Sequence, residues 1–141
     1  MQAVMSPAEM MAYLEEVFPQ VKADYAIEEM DGVRTVMRLK VAERHLRPGG
    51  TVSGPAMFAL ADVTAYVATM ARIGKKALAV TTGCSLDFMR KPEAGRDLIA
   101  EARLLKLGRN LSVTDILIFS EGRDAPVARA SMTYSIPPER L

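Results

Sequence analysis

The run SGPAMFALADVTAYVATMARI, residues 53–73, decides how the rest of the chain folds. From Gly54 to Ala71 its only charged side chain is Asp62, so a helix over this run is apolar on every side. Such a helix either crosses a membrane or forms the core of a globular domain. The Gly-Pro pair that opens the run and the carboxylate near its middle, which is costly in lipid, favour a core helix and no membrane partner. We expect that helix over residues 54–73.

The residues on either side of this helix predict one further helix and six strands. The sequence SPAE at residues 6–9 is a helix-start signature, and that helix should end near Phe18, before a proline. Asp31-Gly32 separates two extended segments, as in a hairpin. After Gly74 extended segments alternate with short turns, which implies an antiparallel meander. The predicted strands are residues 24–30, 33–41, 78–90, 97–107, 111–121 and 126–136, and residues 44–52 form a loop.

These elements predict a single α+β domain over residues 1–141, whose antiparallel sheet wraps around the apolar helix. Residues 1–23 supply the N-terminal helix and its lead-in. The length fits one domain, and a hydrophobic content of 50% is enough to fill a sizeable core.

The charge balance and the scarcity of cysteine and histidine exclude several functions. With 18 Lys+Arg against 17 Asp+Glu, the net charge of +1 argues against a nucleic-acid partner. Cys84 is the only cysteine, which excludes an internal disulfide or a thiolate zinc site, and we expect it to pack on a buried strand. His45 is the only histidine, and we expect it on the surface or in a loop. Residues 1–16 lack the basic segment followed by an apolar run that marks a secretion signal, so we expect a cytoplasmic protein.

Asp62 is the first candidate for chemistry. A carboxylate in a buried helix is costly in free energy unless it is hydrogen-bonded or has a catalytic role. Buried acids with perturbed pKa values cluster at functional sites. Two interpretations stay open on spacing alone. Asp62 is either catalytic or a structural residue bonded to a neighbouring hydroxyl, such as that of Thr64, or to backbone.

The start of the same helix is the second candidate. Its first turn presents unpaired N–H groups and the positive end of the helix dipole, which can stabilise an oxyanion at Gly54. The alternative is that Ser53 and Gly54 only cap the helix. Gly54 and Asp62 are eight residues apart in the sequence, about 12 Å along a helix axis. They are too far apart to act on one carbonyl within a chain, whereas two antiparallel copies could bring them together.

Several segments, in order, resemble the PaaI-type branch of the hot-dog thioesterases. The core of the resemblance runs from Arg47 through Gly54 to the acid at Asp62. Here Arg47 replaces the family's Asn, and Ser53-Gly54-Pro55 replaces its His-Gly-Gly. The further matching segments are VTT at 80–82, LDFMRKP at 86–92 with Gly95, and ARLLKLGR at 102–109.

The resemblance implies a hot-dog fold and hydrolysis of an acyl-CoA thioester without metal or cofactor. It implies that the Gly54 N–H polarises the thioester carbonyl and that Asp62 of the facing subunit is general base or nucleophile. A hydroxyl on the next strand, that of Thr81 with Thr82 as its neighbour, would place the acid or the water. The resemblance also implies a homodimer or a homotetramer built as a dimer of dimers.

Other polar residues are candidates for substrate binding. Arg47 could donate to a carbonyl or hold a carboxylate, and Ser53 lies at the start of the helix. The basic residues of the strand ends and turns either hold the CoA phosphates or are ordinary solvated charges. These residues are Arg90, Lys91, Lys106 and Arg109.

Two other functions remain as alternatives. A hydratase or dehydratase of this fold pairs a His with an acid, whereas His45 lies away from the motif. A non-catalytic module that binds or senses acyl-CoA is the second alternative, because Arg47 and Pro55 depart from the family pattern.

Overall fold

The computed structural model of the chain describes residues 2–19 and 23–138, and the apolar run forms one helix at its centre. The predicted lead-in at residues 20–22 lies outside the described residues. In chain order the elements are α1 (Pro7–Val17), β1 (Tyr25–Met30), β2 (Arg34–Leu39), a 3₁₀ turn (Glu43–His45), α2 (Gly54–Ile73), β3 (Val80–Phe88), β4 (Leu98–Leu107), β5 (Leu111–Ser120) and β6 (Pro126–Ser135).

Helix α2 has suitable residues at both ends, a capping serine with a proline at its start and a glycine at its end. The Ser53 side chain accepts a hydrogen bond from the Ala56 N–H at 3.3 Å, and Pro55 occupies the first turn, where a missing N–H costs nothing. Gly74, with φ of 83°, ends the helix in a backbone conformation that glycine adopts without strain. By length and composition α2 could cross a membrane. However, 61% of its most apolar 18-residue stretch is buried inside the folded chain, as expected for a core helix.

A six-stranded sheet wraps around α2 in the order β1-β2-β4-β5-β6-β3, and every neighbouring pair is antiparallel. The predicted α+β hot-dog architecture is therefore confirmed. The inner face of the sheet and the buried face of α2 share one hydrophobic core, whose largest fully buried side chains include Met37, Leu39, Leu60, Met70, Ile118 and Met132.

The predicted meander of the last four strands is wrong in one respect. Strands β4, β5 and β6 follow one another across the sheet, but β3 pairs with β6 and not with β4. Residues 89–97 connect β3 to β4. This stretch is longer than a hairpin turn, because it has to pass β6 and β5, which lie between β3 and β4 in the sheet. β3 is left as an edge strand.

The edge position of β3 corrects the prediction for Cys84. Cys84 is exposed in the described chain, because β3 has a hydrogen-bonded neighbour on one side only. Partial burial of the thiol and the negative charge of Asp62 raise the pKa of Cys84, so the thiol stays protonated at neutral pH.

His45 is in the predicted loop but is not at the surface. The residue is only 8% exposed, and its Nδ1 accepts a hydrogen bond from the Ala42 N–H at 2.8 Å. Burial, and secondarily the charge of Arg44, lower the pKa of His45, which favours the neutral ring. The His45 carbonyl accepts from the Ser53 N–H at 2.8 Å, so this buried turn holds the start of α2 in place.

The core position of β5 generates a stability prediction. Ile118→Ala removes a side chain that is 0% exposed and should lower the free energy of unfolding by about 2–5 kcal/mol. The matched control is Leu117→Ala on the same strand, where the side chain is 39% exposed and the loss should be much smaller. Denaturant unfolding of both variants measures the difference, and equal losses would contradict this description of the core.

Candidate active site

The Asp62 carboxylate is bonded to two hydroxyl groups from adjacent strands. The Thr81 hydroxyl of β3 and the Tyr134 hydroxyl of β6 both donate to Asp62 Oδ1, the latter at 2.8 Å. Thr81 and Tyr134 are paired in the β3–β6 ladder, so their side chains point to the same face of the sheet, toward α2. Thr64 does not bond Asp62, because its hydroxyl donates to the Leu60 carbonyl at 2.6 Å.

The second carboxylate oxygen of Asp62 is free. Among the described residues Oδ2 has no hydrogen-bond partner, although none of their buried side-chain oxygen or nitrogen atoms lacks one. Oδ2 must therefore reach open space beside the protein. The arrangement holds one oxygen in place and leaves the other available to accept a proton or attack a carbon.

Tyr134 is a site residue that the sequence analysis did not identify. Its hydroxyl also lies 3.0 Å from the Asp62 carbonyl. Burial, and then the charge of Asp62, raise the pKa of Tyr134, so its phenol remains a donor at neutral pH. The alternation of β6 put Tyr134 on the inner face, and an inward tyrosine opposite a buried acid was the signal available in the sequence.

Asp62 lies in the wall of an apolar cavity of about 570 Å³. This volume is in the range of small-molecule sites. Aromatic and aliphatic side chains from both edges of the sheet, from α2 and from the C-cap of α1 line it, and Phe18 stands edge-on to Tyr66 at 6.4 Å between ring centres. The lining residues of this Asp62 cavity include Tyr25, Phe58, Val63, Ala79, Val80 and Thr81.

The first turn of α2 faces a different space, a groove of about 430 Å³. Arg47, Gly54, Arg90 and Lys91 line this groove. Ser53 Oγ and the Ser53 carbonyl accept from the N–H groups of Ala56 and Met57. Among the hydrogen bonds of residues 2–19 and 23–138, none uses the Gly54 N–H. That donor is therefore free for a ligand.

Phe88, at the end of β3, packs against Gly54. A Cβ at Gly54 would lie 3.3 Å from the Phe88 Cζ, a tight contact. Glycine therefore gives the ring room to lie against the helix start, and any group bound at the Gly54 N–H would meet this ring.

The remaining predicted site residues lie elsewhere. Ser53 caps α2, and Thr82 is the exposed extra residue of a bulge in β3, outside the hydrogen bonds of Asp62. Lys106 and Arg109 are exposed near the turn between β4 and β5 and line neither the Asp62 cavity nor the groove. The structure thus brings Arg47, Arg90 and Lys91 together but does not join Lys106 and Arg109 to them.

The carboxylate and the free N–H do not meet within one chain, because they open into two spaces with different walls. Within the described ranges, no three His, Cys, Asp or Glu side chains are placed to hold a metal ion.

Comparison with known proteins identifies the family. The model of the thioesterase superfamily matches residues 49–127, a stretch that contains Gly54, Asp62 and Thr81. The chain belongs to the thioesterase superfamily. A candidate esterase of Pseudomonas aeruginosa is 32% identical over 103 residues, which cover 72% of this chain and 75% of that protein.

Solved structures place the chain in the PaaI-type group of hot-dog thioesterases. A candidate thioesterase of Silicibacter sp. TM1040 is 63% identical, with a TM-score of 0.92 over 98% of this chain and 96% of that one. The phenylacetic acid degradation protein PaaI of Thermus thermophilus, in a mutant form, is 27% identical, with a TM-score of 0.73 over 84% of this chain and 99% of that one. The predicted family is confirmed, and thioester hydrolysis is the reaction of the superfamily.

The two hydroxyls on Asp62 generate a prediction for this thioesterase. Tyr134→Phe removes a hydrogen bond to a charged group and should lower kcat by about tenfold to a hundredfold, with a smaller change in KM. Tyr13→Phe is the matched control, because Tyr13 is a buried tyrosine of α1 outside the cavity lining. Free-thiol release measures both rates. If both variants kept the wild-type kcat, Tyr134 would have no part in positioning Asp62.

Proposed function

We propose that the protein hydrolyses acyl-CoA thioesters in the cytoplasm, with Asp62 as its catalytic carboxylate. The observation that supports this most directly is the geometry of Asp62, in which two hydroxyls hold Oδ1, Oδ2 has no partner among the described residues, and the residue lines the apolar cavity. A carboxylate placed in this way can act on a thioester whose acyl group fills the cavity.

Two routes to the products fit this geometry. As general base, Asp62 takes a proton from water while the water oxygen attacks the thioester carbon. As nucleophile, Oδ2 attacks that carbon itself and forms an anhydride that water then hydrolyses. In both routes the carbonyl oxygen becomes an oxyanion, the C–S bond breaks, the CoA sulfur leaves and takes up a proton, and a free acid results.

The Gly54 N–H is the proposed donor to this oxyanion, supplied by a second copy of the chain. Edge strand β3 supports such a pairing, because it leaves its outer backbone groups and large apolar side chains exposed, with Val80 at 57% and Phe88 at 53%. Thr81 lies at one end of β3 and Phe88, which contacts Gly54, at the other. Antiparallel pairing of two β3 strands would thus bring Asp62 of each copy toward Gly54 of the other.

The groove at the helix start is the proposed site of the CoA moiety. Arg47, Arg90 and Lys91 surround it with positive charge, which suits phosphate groups. A hypothetical thioesterase of Streptococcus pneumoniae with this fold, 22% identical to the chain, has been crystallised with coenzyme A. Contacts of Ser53 and Thr82 with the substrate, and of Lys106 and Arg109 with the CoA phosphates, stay predictions.

The hydratase alternative gains no support from the position of His45. Its ring does not line the Asp62 cavity, and its Nε2 lies 3.4 Å from Asp24. A non-catalytic acyl-CoA-binding module would show the same fold and the same groove. Turnover separates that alternative from the proposed enzyme.

Asp62→Asn tests the catalytic role. It keeps the size of the side chain but removes the base or nucleophile, so free-thiol release should fall by about two to three orders of magnitude or more while acyl-CoA binding persists. The control is Asp115→Asn, an exposed carboxylate on β5 that should leave turnover unchanged. Unchanged turnover in Asp62→Asn would refute the role of Asp62. If the wild-type protein bound a panel of acyl-CoA thioesters but hydrolysed none of them, the binding module would be favoured.

Mixed oligomers test the shared site. Gly54→Pro removes the N–H donor and should cost about a hundredfold or more in kcat, whereas Gly54→Ala keeps the donor and controls for the contact with Phe88. When equal amounts of Gly54→Pro and Asp62→Asn chains are refolded together, random pairing gives about one intact site in four. Recovery of about a quarter of wild-type activity is expected. An inactive mixture that contains verified hetero-oligomers would contradict a site shared between chains.

A further inference from the structure

The Asp62 cavity contains one hydroxyl group that nothing in the described chain uses. Four hydroxyl-bearing side chains line the cavity: Tyr25, Tyr66, Thr81 and Tyr134. Thr81 and Tyr134 donate to Asp62, and Tyr66 donates to the Ala77 carbonyl at 3.3 Å. Among residues 2–19 and 23–138, no side chain or backbone group bonds the Tyr25 hydroxyl.

This free hydroxyl belongs to a deeply buried residue. Tyr25 is only 9% exposed, yet no buried polar side-chain atom of the described residues lacks a partner. The Tyr25 oxygen must therefore be accessible, since it would otherwise be a buried polar atom without a partner. Since Tyr25 lines the Asp62 cavity, that oxygen is available to whatever occupies the cavity.

Tyr25 approaches the cavity from the opposite edge of the sheet to Thr81. It is the first residue of edge strand β1, whereas Thr81 belongs to β3, the edge strand at the other end of the strand order. The two edges line one cavity because the sheet curls around α2. A thioester carbon beside Asp62 would therefore leave the rest of the acyl group extending toward Tyr25.

The surroundings of Tyr25 make its hydroxyl the available polar contact on that side. Its neighbour Asp24 also lines the cavity, but the Asp24 carboxylate is paired with Arg44 and lies 3.4 Å from His45 Nε2. Phe18, Phe58 and Val63 add only apolar surface. Burial, and then the charge of Asp62, raise the pKa of Tyr25, so the phenol keeps its proton and can donate as well as accept.

We propose that Tyr25 is a specificity-determining residue, whose hydroxyl recognises an oxygen substituent on the acyl group at a distance from the thioester carbon. The preferred acyl group is then a mainly apolar one that carries a hydroxyl or keto oxygen. A wholly apolar acyl group would displace water from Tyr25 and leave its hydroxyl unpaired, which disfavours that substrate. This inference rests on the proposed function only in placing the acyl group in the cavity.

Binding to a protein that cannot turn over tests this separately from catalysis. In the Asp62→Asn background, the Kd values of hexanoyl-CoA and of its 3-hydroxy, 5-oxo and 6-hydroxy counterparts are compared by calorimetry. At least one oxygenated thioester should bind about tenfold or more tightly than hexanoyl-CoA. Adding Tyr25→Phe should bring that ratio close to one, whereas adding the control Tyr13→Phe should leave it in place.

Three results would overturn the role of Tyr25. They are equal binding of all four thioesters with Tyr25 present, a preference that survives Tyr25→Phe, and an equal loss for every thioester in that variant. Thermal melting of Tyr25→Phe checks that the variant keeps the fold, and a melting temperature close to that of the wild type is expected. A wild-type protein that hydrolyses none of the thioesters but shows the Tyr25-dependent preference in Kd would refute the proposed hydrolysis and leave this inference standing.

Discussion

The partial burial of one carboxylate on an apolar helix is the constraint on which the rest of the structure depends. Helix α2 holds Asp62 half-buried beside the core, where an ionised group is costly unless it is hydrogen-bonded. Thr81 and Tyr134 meet this need through a single carboxylate oxygen. Their shared register in the β3–β6 ladder is therefore essential, because a slip of β3 by one residue would turn the Thr81 hydroxyl away from α2. The other oxygen stays free, so the bonds that make burial tolerable also create a reactive group.

The curl of the sheet around α2 explains why this group has a cavity beside it. Strands β1 and β3 are the two edges of the sheet, and the side chains that line the cavity come from both. The helix start lies at the other end of β3, against Phe88. Strand β3 thus connects the two halves of the proposed site, the Asp62 carboxylate and the helix start at Gly54. Pairing of its exposed edge with β3 of a second copy would bring the carboxylate of one chain to the helix start of the other.

Much of this was predictable from local patterns. The bounds of α2, the α+β class and the family follow from a long apolar run with one acid and from matching motifs around it. The position of β3 beside β6 was not predictable from short turns alone, since it depends on a long connection across the sheet. The prediction of a buried Cys84 was wrong, and His45 lies in the predicted loop but is buried there, because the exposure of each side chain is set by the neighbours of its segment in space.

The sequence by itself determined that a lone acid lies on the apolar core helix and that the start of this helix precedes it at a fixed spacing. These properties are local, since helical rise and side-chain polarity do not depend on the rest of the chain. Only the tertiary structure decided that the Tyr134 hydroxyl joins that of Thr81 on the acid and that the hydroxyl of Tyr25 is left over. Residues 25, 62, 81 and 134 are far apart in the sequence, and it is the closure of the sheet around α2 that brings them to one cavity.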